Sequence, residues 1–282
     1  MLRLYREFFN NVIGYDESIS SCVRYIFLKY LYMVMDLPYI SILTPTYNRN
    51  NFIPLMLSNL FKMDYPKEKL EWIIDDDGPD KMLPTMKEFN QLSEVLKPIQ
   101  LTYMYNERKR TIGEKRNNLC KKSKYKICAM MDTDDLYMSP YLKKSIEKMR
   151  KEKASLVGSN QMIFIYPLHN FKMTAIECES KRQIHEATMV FTKKHFKAMG
   201  GFEKNSQGEG AKMIDSMAGT KVALTDIVDC MCCIAHNDNT VKKDSFFEAN
   251  DITSTCSLSE MDIKIITDVL LIDKSDTTIV LD

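Results

Sequence analysis

Neither sign of charge is in surplus: 39 Lys and Arg stand against 38 Asp and Glu in 282 residues. Such a balance supplies no bulk attraction to nucleic acid or an anionic membrane, so any steering must come from local clusters. Long apolar runs are missing too. The most hydrophobic segment, residues 23–35, is interrupted by Arg24 and Lys29, and it falls short of the roughly 20 apolar residues a spanning helix needs. No small-residue cleavage site follows it, so a secretory leader is not expected. Residues 1–36 read either as a helix packed on the rest of the chain or as an amphipathic surface for a membrane or partner. Internal repeats and low-complexity tracts are absent. So is a phosphate-cradling glycine loop of the Walker or Rossmann type, which argues against an ATPase and a dehydrogenase. The eight cysteines have no repeated spacing. Several lie in apolar runs such as Ile127-Cys128-Ala129, where Cys packs as a small hydrophobe, and this usage fits a reducing, cytoplasmic setting. Cys230, Cys232 and Cys233 lack a second pair and lie in an apparent strand, which favours core over a zinc site.

What the chain does have is concentrated in ICAMMDTDDLYMSP, residues 127–140. The apolar run 127–131 is too short for a helix and reads as a buried strand. It ends in Asp132, Asp134 and Asp135, three carboxylates in four positions. Carboxylates this close repel one another unless a cation lies among them. Hard oxygen ligands suit Mg²⁺ or Mn²⁺, which take one or two carboxylates and complete their shell with water and phosphate. The other reading is that these acids cap a helix starting near Pro140.

From Tyr39 strand-like and helix-like segments alternate: YISILT, helix 52–62, LEWIID, helix 81–96, IQLTYMY, helix 113–122 and KYKICAMM. Strict alternation predicts an α/β fold, a parallel sheet covered on both faces with right-handed crossovers. The loops after the strands then gather at one sheet edge, where ligands bind in open α/β folds. In the first loop Thr46, Tyr47 and Arg49 offer a hydroxyl, an aromatic face and a cation, although Pro45 and Asn48 also suit an ordinary turn. The second, DDDGPD, brings carboxylates suited to a base or ribose, or simply makes an acidic turn. In the third, Arg108, Lys109, Arg110, Lys115 and Arg116 are the basic cluster near the acids, suited either to phosphate or to a solvated helix start.

Taken jointly, ISILTPTYNR, IIDDDGPD, IGEKRNN, MMDTDD and ATMVFTKKHFKAMGGFEKNSQGEG resemble the family 2 glycosyltransferases, in the same order, across residues 38–240. The resemblance implies a GT-A, Rossmann-like fold with a mixed, mainly parallel sheet flanked by helices. It makes residues 1–37 an N-terminal helical extension and 241–282 a C-terminal extension. It implies a nucleotide-sugar donor, UDP-linked in most such enzymes, held with Mn²⁺ or Mg²⁺ at a D-x-D motif. By position, Thr44, Pro45, Thr46, Tyr47, Arg49, Asp76, Gly113, Arg116, Asp132 and Thr133 would surround the nucleotide. Asp134, Asp132, Asp135 and His236 would face the metal.

Later in the chain His185 and Glu186 precede the strand ATMVFT and are candidates for acceptor or sugar contact. Members of the family usually carry Glu-Asp, the Asp being the general base, where this chain has Glu209-Gly210. Glu209 is therefore the expected base, with Asp215 and Glu203 as substitutes. A helix-start carboxylate is the plainer reading of Glu209. Two further functions stand beside a sugar transferase: a nucleotidyltransferase, which would release pyrophosphate, and a silent sugar-nucleotide or glycan-binding module. The expected partners are a donor and a glycan, protein or lipid acceptor, with no nucleic acid.

Overall fold

The computed structural model describes residues 37–179, 183–214, 221–254, 256 and 258–272. Residues from Tyr39 onward form one compact unit. The N-terminal extension, Asp215 and the strand TTIVL, expected at 277–281, lie outside the described residues. Among the described residues, no helix is long and apolar enough to cross a membrane.

The expected parallel sheet is present. Strands β1 (Ile40–Thr46), β2 (Leu70–Asp76), β3 (Gln100–Tyr105) and β4 (Ile127–Met130) are joined through helices α1 (Ile53–Lys62), α2 (Met86–Leu96) and α3 (Ile112–Lys122). Strand β1 pairs in parallel with both β2 and β4, and β2 with β3. Every residue of β1 and β2 is buried, as expected for strands covered on both faces. The sheet continues from β4 through β9 (Val190–Thr192), antiparallel, to β6 (Leu156–Gly158) and β10 (Val222–Leu224), giving the order β10-β6-β9-β4-β1-β2-β3. Helix α2 begins at Met86, five residues later than expected. Thr85 and Glu88 form a reciprocal capping box there, which satisfies backbone donors that the preceding turn, with Pro84, cannot.

A second sheet was not expected. It runs β12-β8-β7-β11-β5, formed by β5 (Asp135–Tyr137), β7 (Gln161–Tyr166), β8 (Lys172–Glu177), β11 (Met231–Ile234) and β12 (Asn250–Asp251). The polar stretch expected between 167 and 187 thus contains strand β8. Cys230, Cys232 and Cys233 are buried core residues in and beside β11. Helix α4 (Tyr141–Glu152) follows β5, and α7 (Glu260–Leu270) packs on α1, tied by Lys62 Nζ to Asp262 at 2.8 Å. The short helices α5 (Lys193–Ala198) and α6 (Ala211–Ile214) flank the turn that carries Glu209.

Two pairings bring distant segments to the acidic loop. Strand β5 runs antiparallel to β11 with Asp135 opposite Cys233, so the residues just after β11, His236 among them, meet those just before β5. Strand β9 runs antiparallel to β4 with Ala129 opposite Val190, which brings residues 186–188 beside residues 131–133. Tyr137 fastens that second junction: its hydroxyl accepts the Asp132 N–H at 2.8 Å and donates to the Ala187 carbonyl at 3.0 Å.

Candidate active site

The acids after β2 are already bonded within the protein. Asp76 accepts from the Gly78 N–H and the Met82 N–H, each at 2.9 Å, and from the Tyr103 hydroxyl at 2.7 Å. Asp77 takes Lys115 Nζ and the Arg110 N–H, both at 2.6 Å. Asp75 takes an Arg110 guanidinium N–H and Asn118 Nδ2. Both Asp77 and Lys115 are almost wholly buried, at 0% and 4% side-chain exposure. Lys115 also donates to the Thr46 carbonyl at 2.8 Å, so this network fastens the loop after β1 to the N-terminal half of α3.

Helix α3 is positioned by a capping box between Thr111 and Glu114. Its inner face carries Lys115, Arg116, Leu119 and Cys120, all buried, at the spacing expected of one helical face. Gly113 lets this helix approach the turn after α5: a Cβ there would lie 1.7 Å from the Glu203 carbonyl oxygen. Arg116 bridges two carboxylates. Its Nε donates to Glu209 Oε1 at 2.9 Å and its Nη2 to Asp132 Oδ2 at 3.0 Å. Burial would depress the guanidinium, but Asp132 and Glu209 beside it more than offset that, and its pKa is raised above the usual arginine value. Burial pushes the Glu209 carboxyl up, and Arg116 opposes that shift.

Asp134 lies on the other side of the acidic loop. Its Oδ2 accepts Arg49 Nε at 3.1 Å and lies 3.1 Å from His236 Nε2. Burial would raise this carboxyl, yet His236 and Arg49 hold it below the ordinary aspartate value. The His236 ring packs on Phe52 with centroids 5.1 Å apart, and Asn239 Oδ1 accepts the His236 N–H at 2.8 Å.

Of the buried side-chain polar atoms without partners among the described residues, Glu71 Oε2 near the start of β2 and Ser145 Oγ on α4 lie elsewhere, and the rest lie at this edge. Those at the edge are Thr46 Oγ1, Arg110 Nε, Arg116 Nη1 and Asp132 Oδ1. Native interiors rarely leave such atoms unpaired, and these four lie at the end of β1, in the loops after β3 and β4, or in the N-terminal half of α3. A donor, a cation and a carboxylate oxygen with open valence suit a polar, phosphate-bearing ligand.

The site also fits a divalent cation. Two ligands at about 2.0–2.1 Å on adjacent corners of an octahedron stand about 3 Å apart, and Asp134 Oδ2 and His236 Nε2 are 3.1 Å apart. The four-ligand set expected from the sequence is not assembled, because among the described residues no three His, Cys, Asp or Glu side chains converge on one point. Asp132 is drawn to Arg116. Asp135 is 8% exposed in β5, where burial, with Asp134 and Asp132 nearby, raises its carboxyl well above the ordinary value. Asp134 and His236 are the two donors that could share a cation; in this structure they lie within hydrogen-bond distance of each other, with Arg49 on the same carboxylate oxygen, and water and phosphate oxygens would complete the shell of an ion such as Mg²⁺.

Several other expected residues have different employment. Thr44 Oγ1 accepts the Trp72 indole N–H at 2.8 Å inside the core, so it does not face the edge. Pro45 is buried in β1. Asp76 uses both oxygens to shape its own turn, so its side chain has little left for a nucleobase. Gly113 gives helix-to-turn clearance. Tyr47 lies at the edge with Lys109 Nζ 3.8 Å above its ring centroid, and Thr133 is buried within the acidic loop. Glu209 belongs to an enclosed ion pair, with 5% side-chain exposure. His185 is turned inward: Nδ1 accepts the Ala187 N–H at 3.1 Å and Nε2 lies 3.7 Å from Cys233 Sγ. The bonds of Asp77, Asn118 and Tyr137 were not anticipated, since each depends on a partner far off in the chain.

Comparison with known proteins follows the same lines. Residues 41–209, more than half of the chain, match the family model described as Glycosyl transferase family 2. The chain is 26% identical over 129 residues to the Escherichia coli UDP-Glc:alpha-D-GlcNAc-diphosphoundecaprenol beta-1,3-glucosyltransferase WfgD, covering 46% of this chain and 48% of that one. It is 43% identical over 54 residues to a Methanococcus voltae dolichyl N-acetyl-alpha-D-glucosaminyl phosphate 3-beta-D-2,3-diacetamido-2,3-dideoxy-beta-D-glucuronosyltransferase, covering 19% and 17%. The matched segment thus spans less than half the length of either relative. Among solved structures, the Pyrobaculum calidifontis mannosyltransferase PcManGT in complex with GDP-Man and Mn²⁺ superposes with a TM-score of 0.55 at 17% identity, covering 78% of this chain and 66% of that one. S. aureus TarS 1-349 in complex with UDP-GlcNAc gives 0.53 at 14% identity, covering 81% and 64%. The fold is the GT-A type.

Proposed function

The chain belongs to glycosyl transferase family 2 and is a glycosyltransferase; from that premise we propose that it moves a sugar from a nucleoside-diphosphate sugar, UDP-linked in the first instance, to an acceptor hydroxyl with inversion. The observation that carries this reading is the grouping of unpartnered buried atoms, Thr46 Oγ1, Arg116 Nη1 and Asp132 Oδ1, at the edge where Asp134 and His236 stand 3.1 Å apart. The relatives add weight, one being named for UDP-Glc and two solved structures holding GDP-Man or UDP-GlcNAc.

In this reading the loop after β1 receives the nucleoside, with Thr46 Oγ1 as hydrogen-bonding partner and the Tyr47 ring as an apolar wall. Asp132 takes the ribose side through its free Oδ1. Arg116, fixed by Glu209, turns its unused Nη1 toward the diphosphate, where a rigid guanidinium suits phosphate oxygens. Asp134 and His236 would hold Mn²⁺ or Mg²⁺, which would supply positive charge to neutralise a departing diphosphate. Preorganised positive charge at that point favours the transition state over the ground state. A carboxylate on the opposite face of the sugar takes the acceptor proton.

Incubation with UDP-glucose, UDP-GlcNAc and GDP-mannose in Mn²⁺ tests the reading. The expected result is release of nucleoside diphosphate, without pyrophosphate, from at least one donor, suppressed by chelator. No release from any of a full panel of nucleotide sugars, or release unaffected by chelator, contradicts it.

A further inference from the structure

The proposed reaction needs a carboxylate that can reach an acceptor, and the expected one cannot. Glu209 is locked to Arg116 and shielded from solvent. Its Cβ faces the backbone of α3, 3.1 Å from where a Cβ on Gly113 would lie. Asp132 is likewise bonded to Arg116. A third carboxylate, Glu186, contributes to the field at the same guanidinium and differs from the other two. Like Asp132 and unlike Glu209 it is only partly buried, and unlike both it forms no ion pair among the described residues.

Its position is set by three features. The short turn Glu186–Thr188 is held against the acidic loop by Tyr137, whose hydroxyl links the Asp132 N–H to the Ala187 carbonyl. The β4–β9 pairing extends that junction, with the Met130 N–H donating to the Met189 carbonyl at 2.9 Å. Finally, Glu186 occupies the space beside Gly210: a Cβ added there would lie 2.6 Å from Glu186 Cγ and 3.0 Å from Glu186 Oε1. The Gly210 N–H donates to Oε1 at 3.2 Å, which fixes the carboxylate and leaves Oε2 with no hydrogen bond among the described residues. A side chain at position 210 would have to push aside the Glu186 carboxylate and the Met189 Cε, which a Cβ there would meet at 2.9 Å, and this chain has the carboxylate in that space.

We propose that Glu186 is the catalytic base of this glycosyltransferase, its carboxylate standing where a side chain at position 210 would otherwise be. The proposal rests on the sugar-transfer reading of the site. In the step, Glu186 Oε2 takes the proton of the acceptor hydroxyl and the acceptor oxygen bonds to the anomeric carbon. The anomeric C–O bond to the diphosphate breaks, and its electron pair leaves with the nucleoside diphosphate. Water can take the acceptor's place, so donor hydrolysis reports the same proton transfer.

The test uses the full chain with Mn²⁺ and the donor that the wild type turns over. Glu186→Gln, which keeps the shape and the bond from Gly210, is expected to bind UDP within about twofold of wild type while turnover falls about a hundredfold or more, the usual share of a general base. Gly210→Ala should also lose turnover, because its methyl displaces the Glu186 side chain. The double variant Glu186→Ala with Gly210→Asp moves the carboxylate to the other side of the same space and should regain at least tenfold over Glu186→Ala alone. Turnover of Glu186→Gln within threefold of wild type, or no gain in the relocated double variant, overturns the proposal. A wild type that binds UDP with Mn²⁺ but keeps turnover in Glu186→Gln sinks only this assignment, whereas one that neither binds nor turns over any nucleotide sugar sinks the sugar-transfer reading beneath it.

Discussion

Two acidic loops leave the same edge of the same sheet, and they are put to opposite uses. At the C-terminal end of β2 and just beyond it, all six oxygens of Asp75, Asp76 and Asp77 are bonded to partners in the protein. After β4, Asp132 keeps an unpartnered Oδ1, and Asp134 shares one oxygen between Arg49 and His236. A carboxylate with both oxygens bonded within the protein is scaffold, while one with an unpartnered oxygen is a place for a ligand. Residue type and location on the fold do not separate the two cases; hydrogen-bond accounting does.

The widest expected split is between Asp77→Ala and Asp134→Ala. Removing Asp77 strands Lys115 as an uncompensated buried cation, so unfolding free energy should drop by about 3–5 kcal/mol, read by urea titration. Asp134→Ala should cost less stability than Asp77→Ala and abolish metal-dependent turnover. Equal stability losses would erase the distinction between the loops. A middle-sized effect comes from His185, whose imidazole pKa is lowered to about 4, chiefly by burial, with Lys243 adding to it. An unfolded histidine titrates near 6.5, so between those values the unfolded state binds the extra proton. Stability should therefore fall as pH drops from about 6.5 toward 4, and His185→Gln should flatten that part of the curve. The smallest effect is expected away from both loops: Glu94 and Lys97 pair with side chains 68% and 67% exposed, and Glu94→Gln should shift stability by no more than about 0.5 kcal/mol.

The first half of the fold is legible because its signals are local. The run from Tyr39 to Met131 alternates apolar strands with amphipathic helices, and each strand ends in a polar loop, so the parallel sheet and its functional edge follow from period and spacing. The second sheet is legible only in part: strands were readable at β7 and β11, but not their pairing into a separate sheet. Strand β5 is only three residues long and starts with Asp135, whose burial is created by pairing with β11 nearly a hundred positions later. The acidic loop stands out by composition, and His236 was singled out with it. The fate of Glu209 could not be read, since its partner Arg116 lies 93 residues away. Thr44 misleads for a similar reason: strand register turns it toward Trp72 rather than toward the edge. Glu186 was singled out with His185 as a candidate for acceptor contact, but its place beside Gly210 could not be read, since the two residues lie 24 positions apart in the chain.

The claim on which the account depends is that the loop after β4, together with His236, holds a cation and the diphosphate beside it. Calorimetric titration of UDP into the full chain, with and without Mn²⁺, for the wild type and Asp134→Ala tests it directly. The account predicts Mn²⁺-strengthened binding in the wild type and no response to Mn²⁺ in the variant. UDP binding that is indifferent to Mn²⁺, or equally strengthened by it in Asp134→Ala, would contradict it.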